Sequence, residues 1–376
     1  MTTHRLGVSA ALVDGRLVPG DVAIDGELVE AVGLPPASGG RIAAPGLVDI
    51  QVNGFAGVDL MAADVDELHS LARALPRHGV TAWLPTLITA AVTDTDRALD
   101  RLGEAFPPGS HPVAGEARTL GVHLEGPYLS PRRLGTHPPQ HRRDPDLAEL
   151  DAWRRRGDVV AVTLAPELPH ALELVKALSD DGVLVSLGHS DATAYDAHLA
   201  FDAGARTVTH LFNAMSAMRH REPGLPGAAL SRQDVVVQMV LDGHHLSPDV
   251  VRVVWAAAPD RVVLVTDATA AAGRPDGTYA LAGVALDVTD GVVRNPDGTL
   301  AGSALTLSGA VRNAVEIGID PAAVLTAVTE RPADLLGRDD IGRLRPGARA
   351  DVTVFDDDLS LRETWLGGDP VELATP

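Results

Sequence analysis

Residues 48–60 read VDIQVNGFAGVDL and follow Ala44-Pro45-Gly46-Leu47. The apolar run that starts at Leu47 stops on Asn53 and Gly54, the punctuation expected where a buried strand leaves a sheet. The pattern recurs in VTAWLPTL (80–87), LGVHLEGP (120–127), VVAVTLAPE (159–167), VLVSLGHS (183–190), TVTHLFNAM (207–215), VVVQMVLDG (235–243) and RVVLVTDA (261–268), giving eight runs in all. Helix-like segments lie between them, among them 64–79, 171–182 and 192–204, and each of these three closes on glycine. A repeat of about 25–40 residues is the size of a strand-helix unit. Eight such units predict a (β/α)8 TIM-type barrel in the α/β class, in preference to a doubly wound open sheet.

The ends of the chain have a different rhythm. Residues 1–46 contain short apolar stretches separated by Asp14-Gly15 and Asp25-Gly26, both hairpin signals. Residues 345–376 alternate in the same way and turn at Gly367-Gly368. The expected organisation is a barrel over 47–344 and a small β-sandwich built from 1–46 and 345–376.

Composition narrows the function. The chain has 376 residues, 45% hydrophobic and 22% charged, with 3% aromatics, so the core must be aliphatic. Its net charge of −20 argues against nucleic acid, whose phosphates would be repelled. A small anion remains possible at a local Arg/His cluster. There is no cysteine, which excludes disulfides and thiolate chemistry and leaves His and carboxylates as metal ligands. The N-terminal stretch has no long apolar run, so neither a signal peptide nor a membrane span is expected, and the expected location is the cytoplasm.

Barrel enzymes carry their active sites at the C-terminal ends of the strands. There the runs offer Gln51 and Asn53, His123 and Glu125, Glu167, His189, His210 and Asn213, Asp242 with His244 and His245, and Asp267. A single histidine at such a place is more often packed structure than ligand. Together, Glu125, His189, His210 and Asp267 would face one mouth. Two imidazoles and a carboxylate suit a divalent ion and leave a position open for water. Such an ion lowers the pKa of its water to about 7. Asp267 is placed to take the remaining proton and return it to a leaving group, although alone it would read as a helix cap. Arg221, in NAMSAMRHREPGLPG, could fork onto a phosphate or carboxylate. The long loop GPYLSPRRLGTHPPQHRRDPD (126–146) opens from the same face, and its His137 could donate to a developing oxyanion.

The segments GVHLEGPYLSPRRLGTHP, LGHSDATAYDA, VTHLFNAMSAMRHREPGLPGA, VLDGHHLSP, LVTDATAAAG and GTLAGSALTL resemble, in order, those of the N-acetylglucosamine-6-phosphate deacetylases of the amidohydrolase superfamily. The resemblance runs from PGLVDIQVNG to GRLRPGARADVTVFD. It implies hydrolysis of the acetamide of N-acetyl-D-glucosamine 6-phosphate to glucosamine 6-phosphate and acetate. Glu125, His189 and His210 would hold one divalent ion per chain, zinc first, with iron, manganese and cobalt open. Asp267 would be general base and then acid, and His137 would polarise the acetyl carbonyl. Thr136, Asn213, Ala214, Arg221, His245, Leu300, Ala301 and Gly302 would bind substrate, Arg221 and His245 at the phosphate. The resemblance also implies a homodimer in which the partner subunit completes the phosphate site. Some members keep His-x-His after the first strand and hold a second ion. Gln51 and Asn53 stand there in this chain, which predicts one ion, with the amides free to hydrogen-bond its bound water or a neighbouring carboxylate. Two readings compete with this one. In the first, the same chemistry acts on N-acetylgalactosamine 6-phosphate or an N-acyl amino acid. In the second, the barrel is a non-catalytic scaffold, which the presence of every expected ligand disfavours.

Overall fold

The structure, a computed structural model, describes residues 3–111 and 113–374. Eight parallel strands form the centre: β1 Leu47–Val52, β2 Val80–Ile88, β3 Val122–Glu125, β4 Val159–Leu164, β5 Leu184–Leu187, β6 Thr207–Val208, β7 Val236–Met239 and β8 Val262–Leu264. Each pairs with the next in chain order. A parallel bridge between Val52 and Ala268 brings the last run back to the first, so the eight strands make a nearly closed barrel. All eight runs of the sequence lie in it.

Local chemistry explains the helices between them. Helix Val65–Ala74 starts in a capping box, in which Asp64 and Glu67 exchange side-chain-to-backbone bonds, and Pro76 follows in a short 3-10 turn. Helix Ala194–Ala203 repeats the device with Thr193 and Asp196.

Two strands are shorter than their apolar runs suggest. β6 stops at Val208 and β8 at Leu264, because the chain then enters left-handed conformations at His210 (φ 22°), Phe212 (φ 74°) and Asp267 (φ 50°) that a ladder does not tolerate. His189 shares this conformation at φ 46°. Backbone in that region costs on the order of 1–3 kcal/mol per residue. Here it aims side chains from the strand ends across the barrel mouth.

Both ends of the chain contribute to one six-stranded sheet, in the order Asp369–Val371, Leu361–Leu366, Val352–Phe355, Ile42–Pro45, Ala10–Val13 and Arg16–Pro19. Val352–Phe355 runs antiparallel to Ile42–Pro45. A three-stranded sheet of His4–Arg5, Asp21–Asp25 and Leu28–Leu34 shares an apolar cluster with it, including Val8, Val22, Ala43, Val352, Val354 and Trp365. Asp14 and Gly15 both have positive φ, the requirement of the tight turn joining Ala10–Val13 to Arg16–Pro19. An antiparallel meander that sequence reasoning did not single out, Gly277–Leu281, Val284–Thr289 and Val292–Arg294, follows β8. No helix is long and apolar enough to cross a membrane among the described residues.

Candidate active site

Strand register builds the floor of the site. Thr86 of β2 lies beside His123 of β3, and Ile88 beside Glu125, while Glu125 lies beside Thr163 of β4. Neighbours in register present side chains to the same face. In the lower layer, the His123 ring lies between Thr86 Oγ1 (3.2 Å) and Thr163 Oγ1 (2.8 Å). Burial, the largest influence, pushes the His123 pKa down to about 4, so the residue is a neutral structural brace. Glu125 sits one layer above, at the mouth.

His189 and His210 meet Glu125 from β5 and β6. Their Nε2 atoms are 3.1 Å apart and lie 3.3 and 3.1 Å from Glu125 Oε1. His189 Nδ1 is 2.9 Å from the carbonyl oxygen of Arg133. A carbonyl only accepts, so Nδ1 carries the proton and Nε2 presents a lone pair. The His189 lone pair and the Glu125 oxygen face the same space, and a cation between them relieves their repulsion. The three residues place their ligand atoms within 4.8 Å of one another, all from hard or borderline donors. The residues present therefore fit a divalent ion, and the Arg133 carbonyl is the outer partner that orients one ligand.

His137 has the opposite tautomer. The backbone N–H of Thr89 points at its Nδ1 (3.3 Å), with Thr89 Oγ1 at 2.9 Å. A backbone N–H only donates, so Nδ1 accepts and Nε2 carries the hydrogen, 3.8 Å from Glu125 Oε2. Burial first, then the neighbouring His189, pushes the His137 pKa down to about 3, which keeps the ring a neutral donor at pH 7.

Asp267 faces this cluster from the end of β8. Asn53 Nδ2 donates to its Oδ1 at 2.7 Å and Gln51 Nε2 to the same oxygen at 3.2 Å. Gln51 Nε2 also donates to Glu125 Oε1 at 3.0 Å, and its Oε1 accepts from Thr209 Oγ1. Carboxylates only accept, which fixes the Gln51 amide with nitrogen toward them. Burial foremost, then the charge of Glu125, raises the Asp267 carboxyl above the usual range. Gly302 packs against the same residue. It is left-handed at φ 57°, and a Cβ there would lie 2.8 Å from the Asp267 carbonyl oxygen.

These groups open into a cavity of about 290 Å³. A larger one, about 980 Å³, lies at the opposite, N-terminal ends of the strands near Gly121 and Gly157 and holds none of them. The chemistry therefore selects the smaller. A model of the amidohydrolase family matches residues 42–372.

The chain belongs to the amidohydrolase family.

It is 40% identical over 332 residues to the N-acetylgalactosamine-6-phosphate deacetylase of Escherichia coli O157:H7, covering 87% of each chain. It is 37% identical to the N-acetylglucosamine-6-phosphate deacetylase of Vibrio furnissii, covering 86% of this chain and 81% of that one. The solved N-acetyl-D-glucosamine-6-phosphate deacetylase of Mycobacterium smegmatis, a mutant in complex with N-acetyl-D-glucosamine-6-phosphate, superposes with a TM-score of 0.91 at 36% identity over 99% of this chain and 100% of that one. The amidohydrolase family is metal-dependent, and Glu125, His189 and His210 are the group that could bind the ion here.

Most of this amidohydrolase's sequence-predicted site residues meet at the cavity. Glu125, His137, His189, His210 and Asp267 line it, as do Asn53, Thr136, Asn213, Ala214, His245, Leu300 and Gly302. Thr136 is tied to Asn295 at 2.8 Å, and His245 Nδ1 to Asp242 at 2.7 Å. His244 is exposed and offers Asp242 only its backbone N–H. Gln51 is wholly buried beneath the cavity, and Ala301 is wholly buried outside its lining. Arg221 is exposed, lies beside the His220 ring, and does not line the cavity of its own chain.

Five lining residues escaped the sequence reading: Arg132, Arg133, Gly135, Ile88 and Leu281. The arginine pair was visible in SPRRLGTH but without a partner to give it a place. Both side chains bond to Asp191, two residues beyond His189, and Glu167 holds the same turn through Ser190 Oγ and the Asp191 N–H.

Proposed function

We propose that the chain is a metal-dependent deacetylase that hydrolyses N-acetyl-D-glucosamine 6-phosphate to D-glucosamine 6-phosphate and acetate. The observation that carries this reading is the convergence of three unlike groups on one cavity: a lone-pair cluster at Glu125, His189 and His210, a neutral N–H donor at His137, and a carboxylate at Asp267. The relatives described above support the substrate class. The galactosamine epimer stays as a second reading, favoured by the 40% identity to the relative named for it.

A divalent ion on Glu125, His189 and His210, zinc in this reading, supplies Lewis acidity for both water and the amide carbonyl. Asp267 takes the proton from the attacking water. Its Oδ1 already accepts from Asn53 and Gln51, so the transfer falls to Oδ2, and the raised carboxyl then holds the proton long enough to pass it to the departing amide nitrogen. His137 Nε2–H donates to the oxygen as negative charge develops there. Asn213, Ala214 and His245 hold the sugar phosphate, and Thr136, Leu300 and Gly302 bound the ring. Arg221 reaches the phosphate in a neighbouring subunit's cavity rather than its own, which makes a homodimer part of the reading. The catalytic unit is the barrel over 47–344, with 1–46 and 345–376 as its β appendage.

The test is acetate release from N-acetylglucosamine and N-acetylgalactosamine, each with and without the 6-phosphate, and from an N-acetyl amino acid. Turnover concentrated on the 6-phosphates is expected, and the epimer with the higher kcat/KM separates the two readings. Protein that leaves both phosphorylated sugars intact overturns them.

A further inference from the structure

We infer that Ile88 sets the length of the acyl chain this enzyme accepts, by forming the wall against which the acetyl methyl group packs. The inference rests on the deacetylase reading and deepens it. Ile88 ends β2, is 4% exposed, and lines the cavity. It stands in register with Glu125, so both side chains rise from the same layer of the barrel face. The next residue, Thr89, holds His137 Nδ1 and thereby aims its Nε2–H. Ile88 is thus flanked by the two groups between which the scissile carbonyl must lie.

The carbonyl carbon has three substituents to accommodate. Its oxygen goes to His137 and the Glu125 cluster. Its nitrogen must reach Asp267, on the far side of β1, and carries the sugar toward Asn213 and His245 after β6 and β7. The third substituent, the alkyl end of the acyl group, is left facing β2, where Ile88 is the apolar side chain. Leu281 and Leu300 also line the cavity, but both come from the segment after β8, on the Asp267 side, where they meet the sugar. A rigid β-branched side chain on a barrel strand, backed by Thr86 and His123 in the layer below, cannot swing aside for a longer chain.

The test compares kcat/KM for N-acetyl-, N-propionyl- and N-butyryl-glucosamine 6-phosphate. One methylene in an apolar pocket discriminates by about 10–200-fold, so the wild type should prefer acetyl to propionyl within that range. Ile88→Ala should reduce the preference at least about tenfold, mainly through faster propionyl turnover. Ile88→Val, which removes a single methylene and perturbs folding little, should shift it in the same direction by a smaller factor. Leu281→Ala should weaken binding of all three substrates while leaving the acyl ratio in place. An acyl ratio unchanged within about twofold in Ile88→Val and Ile88→Ala overturns the inference, as does a ratio that moves with Leu281 instead. Wild-type protein with no acetyl turnover is a different failure, that of the deacetylase reading itself.

Discussion

At the scale of single residues, two histidines of the same type are set to opposite tasks by one backbone partner each. The Arg133 carbonyl leaves His189 with a lone pair at Nε2, and the Thr89 N–H leaves His137 with an N–H there. Gln51 and Asn53, the two amides at the end of β1, donate into Glu125 and Asp267. This division of labour predicts separable losses. Asp267→Asn should keep its bound ion and substrate affinity while kcat falls by about 10²–10⁴. His189→Ala should lose the ion itself, read by elemental analysis of purified protein. An Asp267→Asn variant of near-native rate would remove that residue from proton transfer. Glu125, His189, His210 and Asp267 were legible because each sits at the end of an apolar run, and His137 because its loop is long and opens at the same face. The tautomers were not, because they depend on Arg133 and Thr89, which are 56 and 48 residues away in the chain from the rings they orient.

Among the elements, β1 and the run after β8 close the barrel through a buried polar joint. Asp49 accepts from Thr266 Oγ1 at 2.6 Å and from two backbone N–H groups at 3.3 Å. Burial, the largest influence, lifts its pKa from 3.8 to about 7 despite those bonds. The folded state therefore binds a proton that the unfolded state releases near pH 4. The stabilisation is complete below that value and is lost as pH rises through 7. Between pH 5 and pH 8 this amounts to a loss on the order of 2–3 kcal/mol. Asp49→Asn mimics the neutral acid and should flatten the decline in thermal melting temperature across that interval. A variant that declines as steeply as the wild type would assign the pH dependence elsewhere. The barrel strands were legible from their punctuation. Their lengths were not, since the left-handed turns at His210 and Asp267 are imposed by the mouth they surround rather than by local propensity. Ile88 and Leu281 were invisible for a related reason: an apolar residue in an apolar run declares itself only once register and the meander at 277–294 are known.

For the whole molecule, the pairing of the two chain ends through Val352–Phe355 and Ile42–Pro45 was anticipated from matching turn signals. That Arg221 does not line its own chain's cavity was not legible, because sequence order places it beside the mouth while the fold leaves it exposed outside the lining. In the proposed dimer it serves the neighbouring cavity. A mixed dimer of Arg221→Ala and Asp267→Asn chains should then regain one working site, since the intact Asp267 cavity receives its arginine from the other chain. Mixing that restores nothing would put Arg221 back in its own cavity or outside the site.

In the proposed reading, a single ion on Glu125, His189 and His210 turns this cavity into a deacetylase. The direct measurement is acetate release from N-acetyl-D-glucosamine 6-phosphate as zinc is titrated into metal-stripped protein. Turnover should rise in proportion to added ion and saturate at one equivalent per chain. Full turnover without ion, or a rise that continues to two equivalents, would contradict it.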